Sequence, residues 1–146
     1  MTEFQIPSPP AETLPVRDIK TSMLRGWSQK CPKCGEGTLY RKYLKVVDTC
    51  PVCGEEMFHQ RADDAPPYFT MVIVCHVIVG GVLVLEQAYA PPTWVHLVLW
   101  LPLTVIMSLW LLPRVKGSLI GLQWALRMHG FGGESDEIDT FDHNAR

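Results

Sequence analysis

Two Cys-x2-Cys pairs, two long uncharged apolar runs and a leucine-spaced segment after them predict the fold class. It is a membrane protein: a small cytoplasmic zinc ribbon of two knuckles and a β-hairpin, then a two-helix transmembrane hairpin and a short amphipathic interfacial helix. Net charge adds little. The formal value is −2, and residues 1–66 hold 9 Lys/Arg against 9 Asp/Glu. No basic excess points to nucleic acid, and none is expected as a partner.

Residues 1–27 are Pro-rich and carry no apolar run. They read as a flexible N-terminal tail without a cleavable signal peptide. The ribbon follows over residues 28–60. Its ligands are Cys31, Cys34, Cys50 and Cys53, spaced C-x2-C-x15-C-x2-C. That spacing reads as a tetrahedral metal site, because two thiolates two residues apart in a tight turn reach one ion. Gly35 and Gly54 follow the two pairs and free the backbone to fold back towards sulfur. Pro32 and Pro51 stiffen each turn, and the Thr-, Tyr- and Val-rich stretch between the pairs suits a short hairpin. Disulfides are disfavoured on the cytoplasmic side. A rubredoxin-like iron centre uses similar knuckles and stays the rival to zinc. A dithiol oxidoreductase fits worse, because the βαβ context is missing. Four thiolates leave no open position, so Zn(2+) here is expected to be structural and to supply folding energy that about 40 residues lack.

Residues 61–67 form a juxtamembrane linker, in which Asp63 and Asp64 precede Pro66 and Pro67. As an N-cap pair they favour the helix dipole, and they are also candidates for contact with a partner's basic patch. Between Pro67 and Pro113 the one charged residue is Glu86. The runs from Tyr68 to Leu85 and from Trp94 to Leu112 are each uncharged, with 18 and 19 residues. As helices they cover roughly 27–29 Å, the thickness of a hydrocarbon core. They place transmembrane helices at 68–88 and 93–112. A pair of buried helices in a soluble protein is the alternative, but little else in the chain is fit to cover them. The turn between them lacks Lys and Arg, whereas Arg61, Arg114 and Lys116 flank the other ends. The positive-inside rule then predicts both termini in the cytoplasm.

Ionisable groups in a span are functional candidates by default. Cys75, His76, Glu86 and His96 form that candidate intramembrane polar set. Glu86 and His96 fall at similar heights and are expected to pair. His76 and His96 fall about 10 Å apart along the axis, too far to share an ion within one hairpin. Gly80 and Gly81 permit close approach of another helix. Pro102 is expected to kink the second span and free a carbonyl for Thr104 or a neighbouring helix. Residues 114–129 place Leu119, Leu122 and Leu126 on one face, and predict an amphipathic helix on the inner leaflet. Residues 130–146 read as an acidic tail. Lys42, Lys45 and their basic neighbours are expected to lie against anionic lipid.

The stretches CPKCGEGTLY, YLKVVDTCPVCGEE, ADDAPPYF, YAPPTWVHLVLWLPLT and LLPRVKGSLIGLQWALRMHG together cover about residues 28 to 130. They resemble the domain of unknown function 983 family of small bacterial membrane proteins. The resemblance implies a multi-pass protein of the bacterial inner (cytoplasmic) membrane with an N-terminal zinc ribbon. Genes of that family often lie beside those for cytochrome c oxidase subunits and assembly factors. It therefore implies a link to that oxidase, without supplying a reaction. The leading expectation is a non-enzymatic accessory, scaffold or assembly factor of a respiratory membrane complex. Two other classes stay open: haem or copper handling through His76 and His96, less expected, and a membrane-tethered adaptor that recruits a soluble partner.

Overall fold

The computed structural model describes residues 16–62, 64–128 and 130–131. Five elements follow one another: α1 (Ile19–Trp27), β1 (Tyr40–Lys42), β2 (Lys45–Val46), α2 (Ala65–Tyr89) and α3 (Thr93–Ala125).

The first element corrects the expectation of a flexible tail over residues 1–27. Residues 1–15 lie outside the described part, but Ile19–Trp27 is a helix. Asp18 caps it, accepting hydrogen bonds from the backbone N–H groups of Lys20 and Thr21 and from the Thr21 hydroxyl. Arg25 stands in the last turn, where the helix dipole favours a cation. The helix is held by small residues. Ser22 and Gly26 face Gly121 and Gly117 of α3, both pairs four residues apart. A Cβ on Gly26 would run into the Gly117 carbonyl, and one on Gly121 into the Ser22 carbonyl. Two backbones thus meet directly, a packing available only to such residues.

β1 and β2 pair antiparallel, Tyr40 with Val46 and Lys42 with Lys45, with a register irregularity at Arg41. The turn is Tyr43-Leu44, with Leu44 at φ 59°. Leu39, Val46, Met57 and the buried sulfurs of Cys31 and Cys50 share one core with Ala62, Ile120, Trp124, Ala125 and Phe131. The C-terminal part of α3 is therefore one wall of the ribbon's core.

α2 and α3 pack along one another through Val74, Leu111 and Val115, joined by Ile78, Met107 and Leu119. Gly81 accommodates the Trp100 ring, whereas Gly80 faces open space. Both helices are long and apolar enough to cross a membrane, and their most apolar stretches are only 11% and 6% buried. Among the described residues little besides the other helix packs against these stretches, unlike the core helices of a soluble protein.

The interfacial helix expected over residues 114–129 is not a separate element. α3 runs unbroken through Pro102 and Pro113 to Ala125, so residues 114–125 extend the second apolar helix. Their apolar face does not lie open either. Ile120 and Trp124 are buried, with α1 and the ribbon as their cover. The physical reason lies at Pro113. It removes the N–H that would have bonded the Leu109 carbonyl, but the Tyr43 hydroxyl donates to that carbonyl at 2.8 Å. The Tyr40 hydroxyl donates to the Pro113 carbonyl, also at 2.8 Å. Thr104, expected to serve a carbonyl freed by Pro102, donates to Trp100 instead at 2.7 Å. Of the acidic tail, residues 132–146 lie outside the described part.

Candidate metal centre

Each cysteine pair sits in a turn closed by the backbone. Gly35 donates to the Cys31 carbonyl at 2.8 Å, and Gly54 to the Cys50 carbonyl at 3.0 Å. Both glycines have positive φ, 76° and 71°, the left-handed conformation that glycine adopts at least cost. The two turns face each other across the hairpin. Cys31 Sγ lies 3.7 Å from Cys53 Sγ, and Cys34 Sγ lies 3.9 Å from Cys50 Sγ. All four sulfurs fall within 4.8 Å of one another. A tetrahedron with metal–sulfur bonds of about 2.3 Å has edges of about 3.8 Å. The four predicted ligands therefore fit one metal ion such as zinc.

The electrostatics point the same way. The N–H groups of Gly37 and Glu36 aim at Cys34 and pull its thiol down to about 6. Burial pushes Cys31 and Cys53 up. Thiols this close, two of them disfavoured as thiolates, need a cation to ionise together. Gly37, which the spacing rule does not single out, has a double role. Its N–H lies 3.5 Å from Cys34 Sγ, and a Cβ there would collide with Cys50 Sγ.

Around the sulfurs lies a second set of contacts that the sequence did not reveal. Arg25 of α1 donates to the carbonyls of Pro32 and Lys33 at 3.0 and 2.8 Å, holding the first knuckle from outside. Glu55, beside the second knuckle, accepts from Lys33 Nζ at 2.8 Å and from Trp124 Nε1 at 2.7 Å. Arg17 approaches it at 4.0 Å and stacks on the Trp124 ring. Burial pushes the Glu55 carboxyl up, but the hydrogen bonds from Lys33 and Trp124 outweigh it and hold the group below its ordinary range. Glu55 thus joins both knuckles to α3. No spacing pattern in the sequence singles it out.

The four-residue polar set of the apolar helices does not form one site. Glu86 and His96 do meet, Oε2 to Nε2 at 3.1 Å. Trp100 Nε1 donates to His96 Nδ1 at 3.2 Å, so Nε2 carries the proton and donates to Glu86. This chain links α2 to α3 near their turn. His76 instead places Nδ1 2.7 Å from the carbonyl of Val72, one turn back on its own helix. Its neighbour Cys75 is exposed and free. Asp64 stands at the N-cap of α2 but makes no side-chain capping bond. Asp63, the other candidate contact residue, lies outside the described part.

The family described as "Protein of unknown function (DUF983)" matches the chain over residues 40–124. That stretch runs from the hairpin and the second knuckle through both apolar helices to Trp124, and leaves Cys31 and Cys34 before its start. No curated protein and no solved structure matches the chain.

Proposed function

From the premise that this chain belongs to the DUF983 family, we propose that it is a non-enzymatic accessory protein. In this reading it is a zinc-loaded scaffold or assembly factor for a respiratory membrane complex. One observation carries it. The metal-site module shares its core with the same helix that continues as the second apolar run. α3 is about 50 Å long, and a hydrocarbon core takes up about 30 Å of it. The remaining 20 Å or so is the post on which ribbon and α1 are mounted. Four thiolates fill the shell of the ion, so zinc fixes the shape of this platform. A rigid platform on a membrane post suits docking to another membrane protein.

The orientation follows from charge. Arg61, Arg114 and Lys116 flank the ribbon side, and the turn over residues 86–92 has no Lys or Arg. The protein is then a multi-pass protein of the bacterial inner membrane with both termini cytoplasmic. Cytochrome c oxidase as the complex rests on the family resemblance. Purification of the tagged full-length chain in mild detergent, with mass spectrometry of what accompanies it, tests the reading. Oxidase subunits or assembly factors are the expected companions, and a deletion strain should lose assembled haem and copper. Unchanged oxidase assembly in that strain contradicts the proposal.

A second reading, haem or copper handling, narrows to His76. His96 has both ring nitrogens engaged, whereas the described contact of His76 uses Nδ1 alone. A Soret band or bound copper that disappears in His76→Ala would favour it, and a colourless zinc-only preparation would remove it.

A further inference from the structure

The geometry points to a binding surface for anionic phospholipid headgroups at the tip of the hairpin, formed by Arg41, Lys42 and Lys45. The inference rests on the membrane reading above and names a partner within it.

Height along α3 places the tip at the membrane boundary. The Tyr43 hydroxyl is bonded to the Leu109 carbonyl, one turn on the span side of Pro113, and Tyr40 to the Pro113 carbonyl. The tip therefore does not hang below the bilayer on a linker. It stands level with the last turn of the apolar run. The first turn of α2 is at the same height, because Pro67 and Thr70 line one cavity of about 300 Å³ with Leu109 and Leu112. Tyr43, Tyr68 and Trp110 are exposed there, the aromatic pattern of a membrane–water boundary. Arg114 lies 4.0 Å over the Trp110 ring and donates to the Trp110 carbonyl, a cation held at that boundary.

Charge at the tip suits an anion. Lys42 and Lys45 are direct partners across the two strands. Like charges in that position repel, and such a pair disfavours the hairpin. Both are exposed. Arg41 has Asp48 at 3.7 Å, itself exposed. An anion lying between the two lysines removes their repulsion. Leu109 and Trp110 of α3 are exposed, and Tyr43 in the turn between the two lysines bonds the Leu109 carbonyl, so the anion's carrier must offer acyl chains beside its phosphate. That is an anionic phospholipid rather than an acidic peptide or free phosphate.

The test uses the full-length metal-loaded protein in vesicles of phosphatidylcholine and phosphatidylglycerol in equal parts. The protein is extracted with mild detergent and its retained lipid is quantified. Phosphatidylglycerol should be enriched about fivefold or more, the factor one basic side chain near an anionic surface supplies. The triple variant Arg41→Gln, Lys42→Gln, Lys45→Gln should retain its metal and lose the enrichment. Lys20→Gln with Lys30→Gln, away from the tip, should keep it, and free phosphate should not compete. Equal retention of the two lipids by the wild type, enrichment that survives the triple variant, or equal loss in the control overturns the inference. If the wild type instead leaves the vesicles on alkaline washing, the membrane reading itself fails.

Discussion

Tyr43 shows how one side chain can satisfy the carbonyl that a proline frees inside a helix. Proline inside a helix leaves the carbonyl four residues earlier without its donor. Here a phenol from the ribbon supplies the missing hydrogen bond to Leu109. Tyr43→Phe should therefore cost about 1 kcal/mol, the net worth of an ordinary hydrogen bond. The same change in a Pro113→Ala background should cost close to nothing, because the alanine N–H restores the helical bond. Thermal or denaturant unfolding in detergent of the four proteins in this cycle checks the coupling. Asp18 offers a pH-dependent case. Hydrogen bonds from the Thr21 side chain and backbone hold its carboxyl below the ordinary 3.8. A depressed folded value means its contribution is full above the unfolded value and disappears as pH falls through the folded one. The stability gap between wild type and Asp18→Ala should be constant from pH 7 to 5 and close below about pH 3.8.

At the scale of elements, the sequence was readable wherever one segment carried its own pattern. The two knuckles, the hairpin between them and the two apolar helices each have a local signature: paired cysteines with glycine, β-branched residues, uninterrupted apolar runs. The Glu86–His96 pair was also readable, since counting residues from the turn fixes relative height. What stayed hidden depended on a partner far along the chain. Residues 114–125 showed an apolar face but not its cover, so lipid stood in for α1. Helix α1 itself was masked by its prolines upstream and by Gly26, a poor helix former that is present for contact. Its partners Gly117 and Gly121 carry no apolar signal either. The α1–α3 contact has a sharp test. Gly121→Leu should place a side chain against the Ser22 backbone and detach α1, with faster amide exchange over residues 19–27. Protection unchanged in that variant would contradict direct backbone packing.

For the whole molecule, the four-cysteine site and the second apolar helix are one structural unit. Ile120 and Trp124 belong to the ribbon's core as much as to α3. Glu55 reaches Trp124 as well as the first knuckle. A four-thiolate module of this size would depend on a bound ion for folding, so stripping the proposed metal should loosen α1 and the C-terminal part of α3 together. The apolar hairpin should persist, because its helices keep their own hydrogen bonds in lipid. Fluorescence of a variant that keeps Trp124 as its sole tryptophan, shifting to the red on chelation, reports that separation. The most direct measurement is elemental analysis of the purified full-length chain beside its cysteine variants. One zinc per chain is expected, retained in Cys75→Ser and lost in Cys31→Ser and in Cys50→Ser. A metal-free wild type, or zinc that survives the loss of Cys50, would contradict it.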